Sequence, residues 1–221
     1  MTRSLPSEPG TMAPHLGDAR REMIVQAARD CFGRAGFHRA TMQDVARAAG
    51  MSPGNIYRYF SSKEAVVEGM CQQDKQTMRA NFAKLRDGVD PFAVMAGVLR
   101  HHLVEESRAR FVLLMEIWAE AARNPHLARI DAEVDAQVRL ELRQFIALLK
   151  DKRLVAQHLD EDFAITALLT FITGLFRRRA QEANFNGEAE LTMALAVCRS
   201  ILSGAIAPAT VKNPNHVKDA V

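Results

Sequence analysis

The chain has 221 residues, of which 48% are apolar and 25% charged, with a formal net charge of +3. This is ordinary for a globular protein and long enough for one large or two small domains. Three scattered cysteines, Cys31, Cys71 and Cys198, exclude a disulfide framework or a zinc site; they fit a reducing cytoplasm and read as small buried apolar residues.

The charge is unevenly placed. Residues 1–64 hold nine Lys/Arg against six Asp/Glu, and the remainder is neutral. The whole excess lies in the N-terminal quarter, the direction expected of a segment that meets a polyanion. The longest uncharged candidate for a span, residues 163–176, has 14 residues, and a membrane crossing needs about 20. No membrane partner is expected.

Ala, Leu, Arg, Glu and Met dominate and β-type alternation is absent, so the expected fold is all-α, with about nine helices. Residues 1–18 read as a disordered arm and 208–221 as a flexible tail. In the first helix Ile24, Ala27, Ala28, Cys31 and Phe32 form one apolar face, and Gly36 stops it. Thr41 opens the next, with Asp44 three residues on as an imperfect capping box; Val45, Ala46 and Ala49 face inward and Gly50 closes it. Ser52 is placed to cap a third, two-turn helix with Pro53 at its first position. Ser62 caps a fourth, from Lys63 to about Leu85, and five more follow over 91–106, 109–123, 126–153, 161–182 and 189–206.

The third helix carries an unusual crowd: Tyr57, Arg58, Tyr59 and Phe60. Ile56 and Phe60, at i and i+4, share an inward face. Gly54 and Arg58 then lie opposite, flanked by Asn55 and Tyr57. Arg and Asn match base edges, Gly permits close approach to a groove, and Tyr hydroxyls and Lys63 suit phosphates. Two short helices joined by a tight turn, the second polar outward, describe a helix-turn-helix.

The stretch "TMQDVARAAGMSPGNIYRYFSSKEAVV", residues 41–67, resembles the DNA-binding signature of the TetR/AcrR family of transcriptional regulators, and "REMIVQAARDCFGRAGFHRAT" resembles its first helix. The resemblance implies a DNA-binding domain over 19–66, an effector-binding and dimerisation domain over 67–207, and a double-stranded DNA operator as partner. It places Thr41 at a phosphate and Gln43 within reach of a base. It makes Pro53, Gly54, Asn55, Tyr57 and Arg58 the major-groove contacts, and Tyr59 and Lys63 phosphate contacts. Arg20 and Arg21 are added as contacts from the arm.

It further implies a homodimer through the last two helices, both apolar over more than one face, with Leu168, Phe171, Leu175, Leu195, Cys198 and Leu202 as interface candidates. A small-molecule effector is expected among the middle helices. Met78, Phe82, Met95 and Phe111 are candidate lining residues, with Met115, Trp118, Phe145 and Phe171 beyond them. The pattern "HHLVEESR", 101–108, offers His101/Glu105 and His102/Glu106 pairs at i, i+4, read as helical ion pairs rather than metal ligands.

The expected function is a ligand-responsive repressor released from its operator by a hydrophobic or amphipathic molecule, with an activator of the same family as the alternative. A helical metal-dependent enzyme is the remote alternative, but the paired Glu-x-x-His motifs of a di-iron protein are lacking, as are a P-loop and a G-x-S-x-G. No cofactor is expected.

Overall fold

The computed structural model describes residues 16–86 and 88–206. Among these the chain is helical throughout, without strands, and it divides into two compact units, one ending at Met70 and one beginning at Cys71. The expected arm overlaps α1 (Leu16–Ala35) by three residues; the rest of the arm and the expected tail lie outside the described residues.

The first unit is built on α1. Ile24, Val25, Ala28, Cys31 and Phe32 are all buried on its inner face. Val25, outside the simple apolar stripe, is as buried as its neighbours, while Ala27 is half-exposed. α2 (Met42–Ala48) starts at Thr41, where the capping box is complete: Thr41 Oγ1 accepts from the Asp44 amide at 3.2 Å, and the Thr41 amide donates to Asp44 Oδ2 at 3.0 Å. α2 ends on Gly50, whose φ of +64° is the left-handed conformation. The Gly50 amide donates to Arg47 O and the Met51 amide to Ala46 O, closing a Schellman turn.

α3 (Pro53–Ile56) is a single turn rather than the two expected. Beyond it the Arg58 and Tyr59 amides donate three residues back, at 3.2 and 3.0 Å, and the Phe60 amide donates to Ile56 O at 3.0 Å. The chain therefore tightens into a 3₁₀-type turn. Ser52 stands at the N-cap, but its side chain makes no capping bond. The inward pair is nevertheless in place, with Ile56 and Phe60 0% and 2% exposed. α4 (Lys63–Arg86) follows, with Ser62 Oγ accepting from the Ala65 amide. Its first turns contribute Val66, Val67 and Met70 to this core.

The second unit comprises the rest of α4 with α5 (Pro91–Arg100), α6 (Arg108–Ala121), α7 (Pro125–Asp151), α8 (Glu161–Gln181) and α9 (Gly187–Leu202). Asp90, Ser107, Asn124, Asp160 and Asn186 each cap a helix start with a side-chain oxygen. α6 packs against α7 and α8, and α5 against α9. The core includes Leu103, Phe145, Ile146, Leu149, Ile165 and Leu202. α9 stops at Leu202 rather than 206 because Gly204 turns to a φ of +77°.

The single helix expected over 91–106 is interrupted by a π-helical turn, His101–Glu105, closed by Glu106 N–H donating to His101 O at 2.9 Å. The extra residue changes the pairing. His101 meets both Glu105 (3.2 Å) and Glu106 (3.3 Å), and the expected His102/Glu106 pair is not formed. The His102 ring instead lies 5.4 Å from that of Phe176. Burial, with the His101 and Arg110 charges assisting against Asp74, pushes its pKa down to about 4. Cys31 and Cys198 are buried, and burial pushes the Cys198 thiol up to about 11; Cys71 is only half-buried. No helix among the described residues is long and apolar enough to cross a membrane.

Candidate nucleic-acid interface

Burial sorts the crowded segment into two sides. Pro53, Gly54, Tyr57 and Arg58 are exposed, Asn55 and Tyr59 half-buried, and Ile56 and Phe60 enclosed. Tyr57, at 53% exposure, is a large aromatic left in solvent by the fold itself. Gln43 is exposed on α2. Among the described residues the side chains of Gln43 and Arg58 have no intramolecular polar partner. Together they present an amide, an aromatic hydroxyl and a guanidinium in sequence around one helix-turn-helix, the donor and acceptor set that reads base edges.

Gly54 fits the same surface. Its φ is not in the left-handed range, and a Cβ there would meet nothing within 4 Å. The protein's own packing therefore does not require a glycine here, whereas a groove wall approaching the turn would. Gly54→Ala is expected to leave the protein as stable or more stable, by up to about 1 kcal/mol, while weakening sequence-specific DNA binding. Urea unfolding beside fluorescence anisotropy separates the two effects; equal DNA affinity would remove Gly54 from the contact surface.

Several cations of the N-terminal quarter are engaged internally. Lys63 Nζ donates to Phe37 O at 2.7 Å and His38 O at 3.3 Å, and lies 4.7 Å from the centre of the Phe37 ring. Arg29 donates to Met70 O and Arg21 to Tyr59 O. A phosphate would have to compete with these carbonyls for Lys63. Thr41 is engaged too: its hydroxyl donates to Asp44 Oδ2 at 2.7 Å, and this bond, with the backbone one and the Arg47 charge, holds the Asp44 carboxyl below the usual range. Arg20 and Arg21 are both exposed on α1, where Arg20 contacts the Met23 sulfur at 3.7 Å and Arg21 donates to the Tyr59 carbonyl at 2.9 Å. Nothing in the sequence marks Arg21 as bonded to the Tyr59 carbonyl, because any residue type carries that acceptor.

Comparison with known proteins agrees with this geometry. Residues 24–70 match the model for bacterial regulatory proteins of the tetR family. Residues 93–206, more than half of the chain, match the BetI-type transcriptional repressor C-terminal region. The chain belongs to the TetR family of transcriptional regulators.

As a TetR-family regulator it carries a DNA-binding domain and is a transcription factor rather than an enzyme. It is 34% identical over 108 residues to the HTH-type transcriptional regulator UidR of Escherichia coli K12, covering 49% of this chain and 55% of UidR, so the likeness spans little more than half of that relative. It is 27% identical over 173 residues to the HTH-type transcriptional repressor Rv1474c of Mycobacterium tuberculosis, covering 78% of this chain and 88% of that one. Salmonella enterica GusR superposes with a TM-score of 0.69 at 25% identity, covering 86% of this chain and 98% of that structure.

In the TetR-family second unit, the effector candidates lie in differing surroundings. A cleft of about 220 Å³ is lined by Phe82, Leu85, Gln144 and Leu148, between α4 and α7. Phe145 packs edge-on to Phe82 at 6.2 Å but is itself core. Phe111 is buried against Phe176, and Trp118 donates its indole N–H to Asp131 Oδ1 at 3.0 Å. Met78, Met95, Met115 and Phe171 are half-buried, and none lines this cleft.

The interface candidates separate similarly. Leu168, Leu175, Cys198 and Leu202 are 5%, 2%, 2% and 1% exposed, filling the unit's own core. Within one subunit these four side chains leave little surface to offer a partner. Phe171 and Leu195 are only partly covered. The outward faces of the same helices carry Thr166, Thr170 and Thr173 on α8, and Met193 and Ala196 on α9.

Proposed function

We propose that the protein is a homodimeric repressor whose operator binding is relieved by an apolar or amphipathic small molecule. The observation that carries this reading is the outward set Gln43, Gly54, Asn55, Tyr57 and Arg58 over a core closed by Ile56 and Phe60. The likeness of residues 93–206 to a repressor C-terminal region supports the sign of the regulation. Thr41 and Lys63 meet the backbone phosphates only where their internal bonds give way, with the Tyr59 hydroxyl beside them; base readout rests on the outward set, with Pro53 at the groove edge. A dimer would present two such units to half-sites one helical turn apart, about 34–36 Å. Its contact surface would be the outward faces of α8 and α9, around Phe171, Met193 and Ala196.

The effector would enter between α4 and α7. The cleft of about 220 Å³ is below the usual range of roughly 300–1,000 Å³, so the helices part as a ligand enters. Its walls are apolar apart from Gln144. The same α7 face bears Glu141, 7% exposed, whose Oε1 accepts from Gln137 Nε2 at 2.8 Å, while Arg79 donates to Gln137 at 2.9 Å. A ligand that parts α4 from α7 strains this bridge and so shifts α4. A coupling of only about 1–3 kcal/mol changes DNA affinity 5–150-fold.

Duplexes selected from a randomised library by the purified full chain supply the test. Anisotropy against a scrambled competitor, light scattering, and a screen of apolar and amphipathic compounds for release are expected to show selective binding, a dimer, and a releasing compound. A monomer at concentrations that saturate the duplex overturns the dimeric reading. Release by none of the apolar compounds overturns the effector class.

A further inference from the structure

We propose that Arg21 is a positioning residue for DNA readout: from α1 it pins the end of the recognition turn, and so sets the direction of Tyr57 and Arg58 without touching DNA. The inference rests on the reading of that turn as the base-contacting element.

A one-turn helix followed by a 3₁₀ turn does not hold its own shape, because a helical nucleus is unfavourable by itself. Its conformation must come from what grips it. At the N-terminal end Ser52 contributes no side-chain cap. At the C-terminal end three contacts converge on two residues. Arg21 Nη1 donates to the Tyr59 carbonyl at 2.9 Å. The same guanidinium lies over the Phe60 ring, 4.5 Å from its centre. The Phe60 ring also packs against Gly69 of α4, where a Cβ would come within 2.8 Å of Phe60 Cε1. Phe60 is therefore gripped between the Arg21 cation and a helix backbone that has no side chain there.

Arg21 suits this task because its planar fork donates in one plane while its face stacks on an aromatic ring. The Tyr59 carbonyl lies three residues past the end of α3, beyond the 3₁₀ turn, and Arg21 is its side-chain donor. Tyr57 and Arg58 immediately precede the pinned residues. Hydrogen bonds to base edges weaken steeply with misalignment, so a small swing of this turn is amplified at those side chains.

The test uses the full-length chain with two duplexes, one selected from a randomised library by the wild type and one scrambled to the same composition. Arg21→Met keeps the stem and removes the fork; Arg21→Lys keeps the cation and a donor. If Arg21 positions the turn, Arg21→Met lowers the preference for the selected duplex by about tenfold or more, the loss of one well-aligned base contact. Its affinity for the scrambled duplex and its salt slope stay unchanged, Arg21→Lys restores part of the preference, and amide exchange rises across residues 57–61 alone. If Arg21 instead meets a phosphate, both duplexes weaken together and the salt slope falls by about one, which overturns the proposal. Exchange that rises throughout the first unit, with both duplexes lost alike, overturns it as well, leaving Arg21 a general structural residue. A wild type with no preference between the duplexes defeats both the readout and the positioning role; a preference that Arg21→Met retains defeats only the latter.

Discussion

Arg58→Ala is expected to weaken binding to the cognate duplex by about 1–3 kcal/mol, roughly 5-fold to 150-fold, and to relax the base preference at one position of each half-site. The size follows from what Arg58 is not doing in the protein. It is exposed, and among the described residues its side chain has no intramolecular polar partner. Its removal leaves no buried group unsatisfied, so folding stability should stay within about 0.5 kcal/mol of the wild type. The loss would then fall on binding alone. Lysine is a weaker replacement, since an ammonium lacks the rigid planar fork with which a guanidinium pairs to guanine. Titrations against duplexes carrying each single base-pair change distinguish this role from a charge effect. A uniform loss over all of them, with the preference intact, would move Arg58 to the phosphate backbone.

The contrast between Arg58 and the other N-terminal cations shows what the sequence could reveal. The charge excess of the first quarter suggests a polyanion-binding surface, but Arg21, Arg29 and Lys63 have their charges on the carbonyls of Tyr59, Met70 and Phe37. A backbone carbonyl at the end of a helix is a strong acceptor at every residue type, so no sequence pattern distinguishes a cation that seals the fold from one that awaits DNA. The i, i+4 relation of Ile56 and Phe60 was legible because it depends on local geometry alone. The helix starts after Asp90, Asn124, Asp160 and Asn186 fall within two residues of those expected at 91, 126, 161 and 189, and each rests on a local relation: a capping oxygen satisfies amides two or three residues away. Ser52 is the exception, with the right residue at the right position and no capping bond.

Longer-range relations were not legible. α8 and α9 read as apolar over more than one face, but periodicity does not say which face a helix gives to its own subunit. Leu168, Leu175, Cys198 and Leu202 went inward, and smaller residues such as Thr170 and Ala196 were left outside. The π turn at His101–Glu105 was hidden because one extra residue barely disturbs an apolar pattern over a helix this short. Its consequence is large, since it separates His102 from Glu106 and turns it toward Phe176.

The same turn sets the largest expected stability effect. Gly187→Ala is expected to destabilise the second unit by about 3 kcal/mol, the upper end of the usual range for overpacking. A Cβ at Gly187 would overlap the Leu103 carbonyl oxygen and press on Val104 Cα at 3.2 Å. These are backbone atoms of the π turn, so no rotamer change relieves them. Leu103 is itself fully buried, which prevents the turn from backing away. On the next residue, Glu188 holds Arg100 through two bonds of 2.7 and 3.1 Å, so a shift of the α9 start would also part that pair. Gly97→Ala is the control: it lies in α5, and a Cβ there would meet nothing within 4 Å. It should be neutral or stabilising by up to about 1 kcal/mol, the ordinary helical preference of alanine over glycine. Urea unfolding of both variants reads the difference directly. If the two glycines responded alike, conformational preference alone would explain them, and the close approach of α9 to the π turn would not be what holds this end of the unit together.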